Sequence, residues 1–158
     1  MSAQVRTIDP IAAHFDVAAT WDLTFLETYL QENGFPATTR ADGLAEYRRF
    51  IAMTRCSGAP CVPSRVIDQI WHAHILHSKD YVAFSRALGI DYIHHFPAKD
   101  GEKEALRQEY NETLERYRSI FAGEPNPSIW HIQGEADCGD NDPGSDCRGT
   151  CDHNVPVS

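Results

Sequence analysis

Residues 66–77 read VIDQIWHAHILH, and the way this stretch is wound decides the fold. Three histidines, a tryptophan and an aspartate sit among aliphatic residues. Pro63 and Ser64 precede the stretch, and Ser64 is a good helix cap, so helix is expected over about 64–77. On a helical wheel with Asp68 at zero, His72 falls at about 40°, while His74 falls near 240° and His77 near 180°. Asp68 and His72, four residues apart, therefore share one polar sector with Arg65 and Gln69. His74 and His77 lie on the opposite side, with Val66, Ile67, Ile70 and Trp71. His-x-His suits a metal on a strand, whereas a regular helix cannot aim His72 and His74 at one ion.

Two candidate clusters follow. One is Asp68 with His72, where the carboxylate either ligates or orients the imidazole. The other is His74 with His77. His94 and His95, just ahead of Pro97, can supply the missing neighbours in either case. The competing reading for any one of these histidines is a core residue hydrogen-bonded to a carbonyl. Five histidines between positions 72 and 95, with an aspartate one turn away, set metal ligation by at least two of them level with that reading.

The flanking sequence reads as helix after helix. Residues 8–15 form a short first helix with Pro10 at its first position. A second is expected over 20–33, capped by Thr20 and stopped at Asn33-Gly34. A third covers 39–56, weakened slightly by Gly43. Pro60 and Pro63 keep 57–64 a loop. Beyond the histidine helix come one at 78–89, capped by Ser78, then a loop or extended piece through Pro97, then a long helix at 102–122. No strong strand pattern occurs. The expectation is an all-α bundle of five to six helices over 1–123, followed by a flexible tail at 124–158 in which SIWHI docks as a strand or turn.

Composition limits the function. With 158 residues, 42% hydrophobic and 23% charged, the chain suits one soluble domain. It has no apolar run long enough to span a membrane and no recognisable export signal, so a cytoplasmic protein is expected. No basic patch suggests nucleic acid. The net charge is −9, and the tail, with seven acidic residues against Arg148 alone, carries six of those charges. An odd count of five cysteines argues against a disulfide framework. Cys56 and Cys61 flank a loop as C-x4-C, a spacing open to pairing or metal binding, and read first as small buried residues. Cys138, Cys147, Cys151 and His153 form C-x8-C-x3-C-x-H, a second candidate site for zinc or Cu(I), set against a plain solvated tail with unpaired thiols.

The string D-x-x-W-H-x-H-I-L from Asp68 to Leu76, followed by Asp80-Tyr81 and by I-H-H-F-P at 93–97, resembles the glycine-rich-domain-containing protein-like family of helical proteins. The resemblance covers roughly 20–122 and is strongest from Pro63 to Pro97. It implies no assigned activity. It ranks Asp68, His72 and His95 above His74, His94 and His77, with Trp71 and Tyr81 in the pattern beside them. This chain's tail is acidic where larger members are glycine-rich.

Two functions follow. The first is a metal-binding helical protein holding Zn, Fe, Mn or Cu at Asp68, His72, His95, His94 or His74, with oxidoreductase or hydrolase chemistry if coordination positions stay open. The second is a non-catalytic interaction module whose acidic, cysteine-containing tail binds metal or a protein partner, or is itself modified.

Overall fold

The computed structural model describes residues 10–131 and 147–150. Among them are six helices: α1 Pro10–Thr20, α2 Thr24–Glu32, α3 Ala37–Cys56, α4 Arg65–Leu76, α5 Ser78–Ala87 and α6 Lys103–Phe121. The all-α expectation holds, with one addition. Strand β1, His94–Pro97, pairs antiparallel with β2, Cys147–Thr150, in a two-stranded ribbon. No helix of the described residues is long and apolar enough to cross a membrane.

α3 is the central element, with Tyr47, Phe50, Ile51, Ala52 and Met53 wholly buried. It packs against α1, α2 and α4. Gly43 explains how α3 comes so near α4. A Cβ there would lie 2.8 Å from Ile70 Cδ1 and 3.4 Å from Val66 Cγ1. The roughly 1 kcal/mol that glycine costs a helix interior is the condition for that close crossing.

Two helix starts depart from the sequence reading. Thr20 is not the cap of α2. It closes α1, its hydroxyl donating back to the Asp16 carbonyl at 2.8 Å, because Val17-Ala18-Ala19 lets the first helix run on. The Asp22 side chain accepts from the Thr24 amide and hydroxyl at the true start of α2. Ser78 is the first residue of α5, not its cap; the cap position is His77, which makes no side-chain cap bond.

The segment after α6 returns to the core. A turn at 127–130, held by Asn126 accepting from Ile129 and Trp130 amides, sinks Ile129 and Trp130 into the interior. The Trp130 indole donates to Glu46 Oε2 at 2.9 Å, and Tyr117 and Arg49 bond the other oxygen of this buried carboxylate. Burying an indole of 150–250 Å² contributes about 4–6 kcal/mol before entropy. The loop at 57–64 is likewise tied down: the Val62 amide donates to Thr113 at 3.0 Å, and Cys61 is buried beside the Arg116 guanidinium.

Candidate metal centre

α4 is framed at its start by Ser64, whose hydroxyl accepts from the Ile67 amide. That start fixes which residues turn inward. Ile67, Ile70, Trp71, Ala73 and His74 are buried, whereas Asp68 is partly covered and His72 is exposed. The two polar residues meet one turn apart. His72 Nδ1 lies 2.9 Å from the Asp68 carbonyl oxygen and 3.2 Å from its carboxylate Oδ2.

His95 reaches the same carboxylate from β1, its Nε2 2.9 Å from Asp68 Oδ1. The His72 and His95 ring centroids are 4.4 Å apart. The His95 side chain is 9% exposed and the His72 side chain 53%, so the cluster is walled on one side and open on the other. The wall is Trp71, whose ring stands edge-to-face at 4.5 Å from His95. The Trp71 indole N–H donates to the Tyr81 hydroxyl at 2.8 Å, and Tyr81 donates to the Ile93 carbonyl at 2.6 Å, two residues before His95.

Asp68, His72 and His95 each offer a ligand atom, and all three atoms lie within 4.8 Å of one another. Tetrahedral zinc with bonds near 2.0–2.1 Å needs donors about 3.3 Å apart. The two carboxylate–imidazole contacts, 3.2 Å to Oδ2 and 2.9 Å to Oδ1, lie near that spacing, each through a different oxygen. Two nitrogens and one carboxylate oxygen are a donor set that suits Zn, Fe, Mn or Cu, and three protein ligands leave positions for water. Without an ion, Asp68 accepts from both imidazoles, and the cluster is self-satisfied.

The other histidines are placed elsewhere. His74, a candidate ligand from its sequence, is wholly buried and apart from this cluster. Its Nδ1 lies 2.8 Å from the Tyr47 hydroxyl and its Nε2 2.8 Å from Asp80 Oδ1, so both nitrogens are taken. Burial pushes this imidazole below its ordinary range, against the pull of Asp80. The neutral ring then donates from Nε2 to Asp80 and accepts the Tyr47 proton at Nδ1. Asp80 Oδ1 also accepts from the Trp21 indole at 3.0 Å. His74 is thus a structural histidine joining α3, α4, α5 and Trp21, as the helical wheel's apolar side implies. His94 stacks on Tyr92 and Phe96 at 5.3 and 5.7 Å and is not brought to the cluster, because adjacent strand residues face opposite ways. His77 bonds the Ala73 carbonyl at 2.8 Å and packs on Phe25.

Of the tail set, Cys138, Cys151 and His153 lie outside the described residues. The backbone of Cys147 pairs with Pro97, and Gly149 pairs with His95.

The model of the UCP032817-like family matches residues 26–123. The chain belongs to that family. The UCP032817-like region contains Asp68, Trp71, His72, Tyr81 and His95, and ends before Trp130. No curated protein and no solved structure matches the chain.

Sequence reasoning alone did not find the Trp71–Tyr81–Ile93 chain or the Tyr47–His74–Asp80–Trp21 network. Both join residues on different elements, and no spacing rule reports such pairs. The only signal was the presence of Asp80-Tyr81 within the quoted motif.

Proposed function

We propose that this protein binds a divalent transition metal through Asp68, His72 and His95, in a site open enough to admit water or a small ligand. The observation that carries this reading is one carboxylate touching two imidazoles from separate elements, α4 and β1, with all donors within 4.8 Å. Two histidines and a carboxylate with free positions support Lewis-acid hydrolysis or redox chemistry at the ion. Half-exposed His72 supports access from solvent. The glycine-rich-domain-containing protein-like kinship, a cytoplasmic location and a protein partner for the acidic tail belong to this proposal as well.

A second reading is favoured by one specific feature. Asp68 already satisfies both imidazoles, so the cluster can serve as a polar clip between α4 and β1 in a non-catalytic interaction module.

Metal analysis of untagged protein decides between them. The comparison uses wild type, His72→Ala, Asp68→Asn and a Cys138→Ser/Cys147→Ser/Cys151→Ser variant, each counted for Zn, Fe, Mn and Cu by mass spectrometry. A single ion per chain in wild type and in the cysteine variant, absent from His72→Ala and Asp68→Asn, supports the proposal. Metal lost only with the cysteines moves the site to the tail. No metal in any preparation leaves the interaction module.

A further inference from the structure

His95 is the ligand that the sequence locates least well, since it lies on a four-residue strand and not on a helix. Something must hold that strand in register with α4. Beside its pairing with β2, a hydrogen-bonded chain to α4 and α5 does so. Trp71 lies on α4 between Asp68 and His72, and its indole N–H reaches the Tyr81 hydroxyl on α5 at 2.8 Å. Tyr81 in turn donates at 2.6 Å to the carbonyl of Ile93, itself wholly buried. An indole N–H can only donate and a carbonyl can only accept, so the direction of both bonds is fixed. The circuit closes through His95, which contacts the Trp71 ring at 4.5 Å and bonds Asp68 at 2.9 Å.

From this we infer that Tyr81 is a positioning residue for the metal centre: its hydroxyl sets the backbone of Ile93, and thereby the height at which His95 meets Asp68. The inference rests on the metal-binding reading for its functional meaning, but the positioning itself exists in the metal-free protein. Tyr81 is wholly buried and bonds both Trp71 and Ile93, so it acts on His95 through the strand and through the Trp71 ring. Removing the hydroxyl leaves the Trp71 N–H and the Ile93 carbonyl without each other's bridge in the interior. The strand is then free to shift, and the His95–Asp68 bond loosens. Losing a group that orients a metal ligand typically costs about 10- to 100-fold in affinity.

The test is Tyr81→Phe in the full chain, compared with Leu114→Ala on α6, which carries no residue of the site. Both are checked by circular dichroism and thermal melting. In metal-free protein, long-range proton–nitrogen correlation of the imidazoles reports the His95 tautomer. Wild type shows the Nε2–H form held by Asp68, Tyr81→Phe shows a mixture, and His77 is unchanged in both. Zinc and cobalt titrations then show affinity weakened about 10- to 100-fold in Tyr81→Phe and unaltered in Leu114→Ala. A second measurement needs no variant: deuterating the Tyr81 hydroxyl shifts the Ile93 carbonyl carbon resonance across the hydrogen bond.

A His95 correlation identical in Tyr81→Phe and wild type overturns the inference. So does an equal disturbance in Leu114→Ala, or an Ile93 carbonyl insensitive to deuteration. Should wild type bind neither zinc nor cobalt, the metal-binding reading fails by itself, and the tautomer measurement alone decides the role of Tyr81.

Discussion

Replacing His72 by alanine separates the ligand role from the structural one with unusual clarity. The His72 side chain is 53% exposed and its ring nitrogen contacts only Asp68, at 2.9 and 3.2 Å. An exposed pair of this kind is worth about 0.2–1 kcal/mol. Alanine recovers part of that through helix propensity, up to about 0.7 kcal/mol. Metal-free stability should therefore move by no more than about 0.5 kcal/mol, or roughly 2 °C in Tm for a chain of this size. The metal-bound state is different. A ligand at a hundred times its Kd stabilises the native state by about 2.7 kcal/mol, equivalent to some 5–11 °C. Thermal melts by circular dichroism, with chelator and then with excess zinc, give both numbers for each protein. Wild type should gain several degrees with zinc, and His72→Ala should gain almost none while matching wild type in chelator. An equal zinc-induced rise in both proteins would refute the assignment of His72 as a ligand.

The remaining predictions follow from neighbouring geometry. Asp68→Ala should cost more without metal than His72→Ala does, about 1–3 kcal/mol in urea denaturation, because it strips the acceptor from a nearly buried His95; equal costs would contradict that burial. Gly43→Ala should destabilise by about 1 kcal/mol net, the overpacking against Ile70 exceeding the helix-propensity gain, and a raised urea midpoint would argue against the close crossing. Trp130→Phe should lose about 1–3 kcal/mol by leaving the Glu46 carboxylate one donor short in the core; unchanged stability would mean the indole bond is dispensable. Burial raises the phenols of Tyr47 and Tyr110 and pushes Tyr117 up to about 12. The unfolded chain then sheds these protons first, so stability holds below about pH 10 and falls as pH rises toward the folded values. Native phenolate absorbance near pH 10.5 should lie below that of the urea-unfolded chain, and equal absorbance would refute the shift.

Much of the fold could be read from local pattern. Apolar spacing in α2, α3 and α6 and the Ser64 cap reported helices that exist, because each depends on neighbours within a turn or two. The start of α2 could not be read that way, since α1 winds on through Thr20 and the cap position falls on Leu23, with Asp22 just before it accepting from Thr24. The site was half legible. The wheel separated Asp68 and His72 from His74, a consequence of helical pitch alone. Nothing in the pitch of α4 could bring His95 to Asp68, because that contact spans 27 residues and depends on the strand being held in place. The opposite facings of His94 and His95 needed the strand itself, which no alternating pattern announced. The partners of His74, Tyr47 and Asp80, sit on other helices and could not be read from α4 alone.

The contact between Trp71 and His95 gives this molecule a built-in optical gauge. Three tryptophans light the chain, and each anchors its indole N–H to a different acceptor: Trp21 to Asp80, Trp71 to Tyr81 and Trp130 to Glu46. Only Trp71 has its ring against the triad. An open-shell ion such as copper, iron or manganese held by His95 would quench that one emitter at short range, whereas zinc, with its filled shell, would leave it bright. Were an ion held there, the protein's own fluorescence would tell an open-shell ion from zinc, with no dye attached.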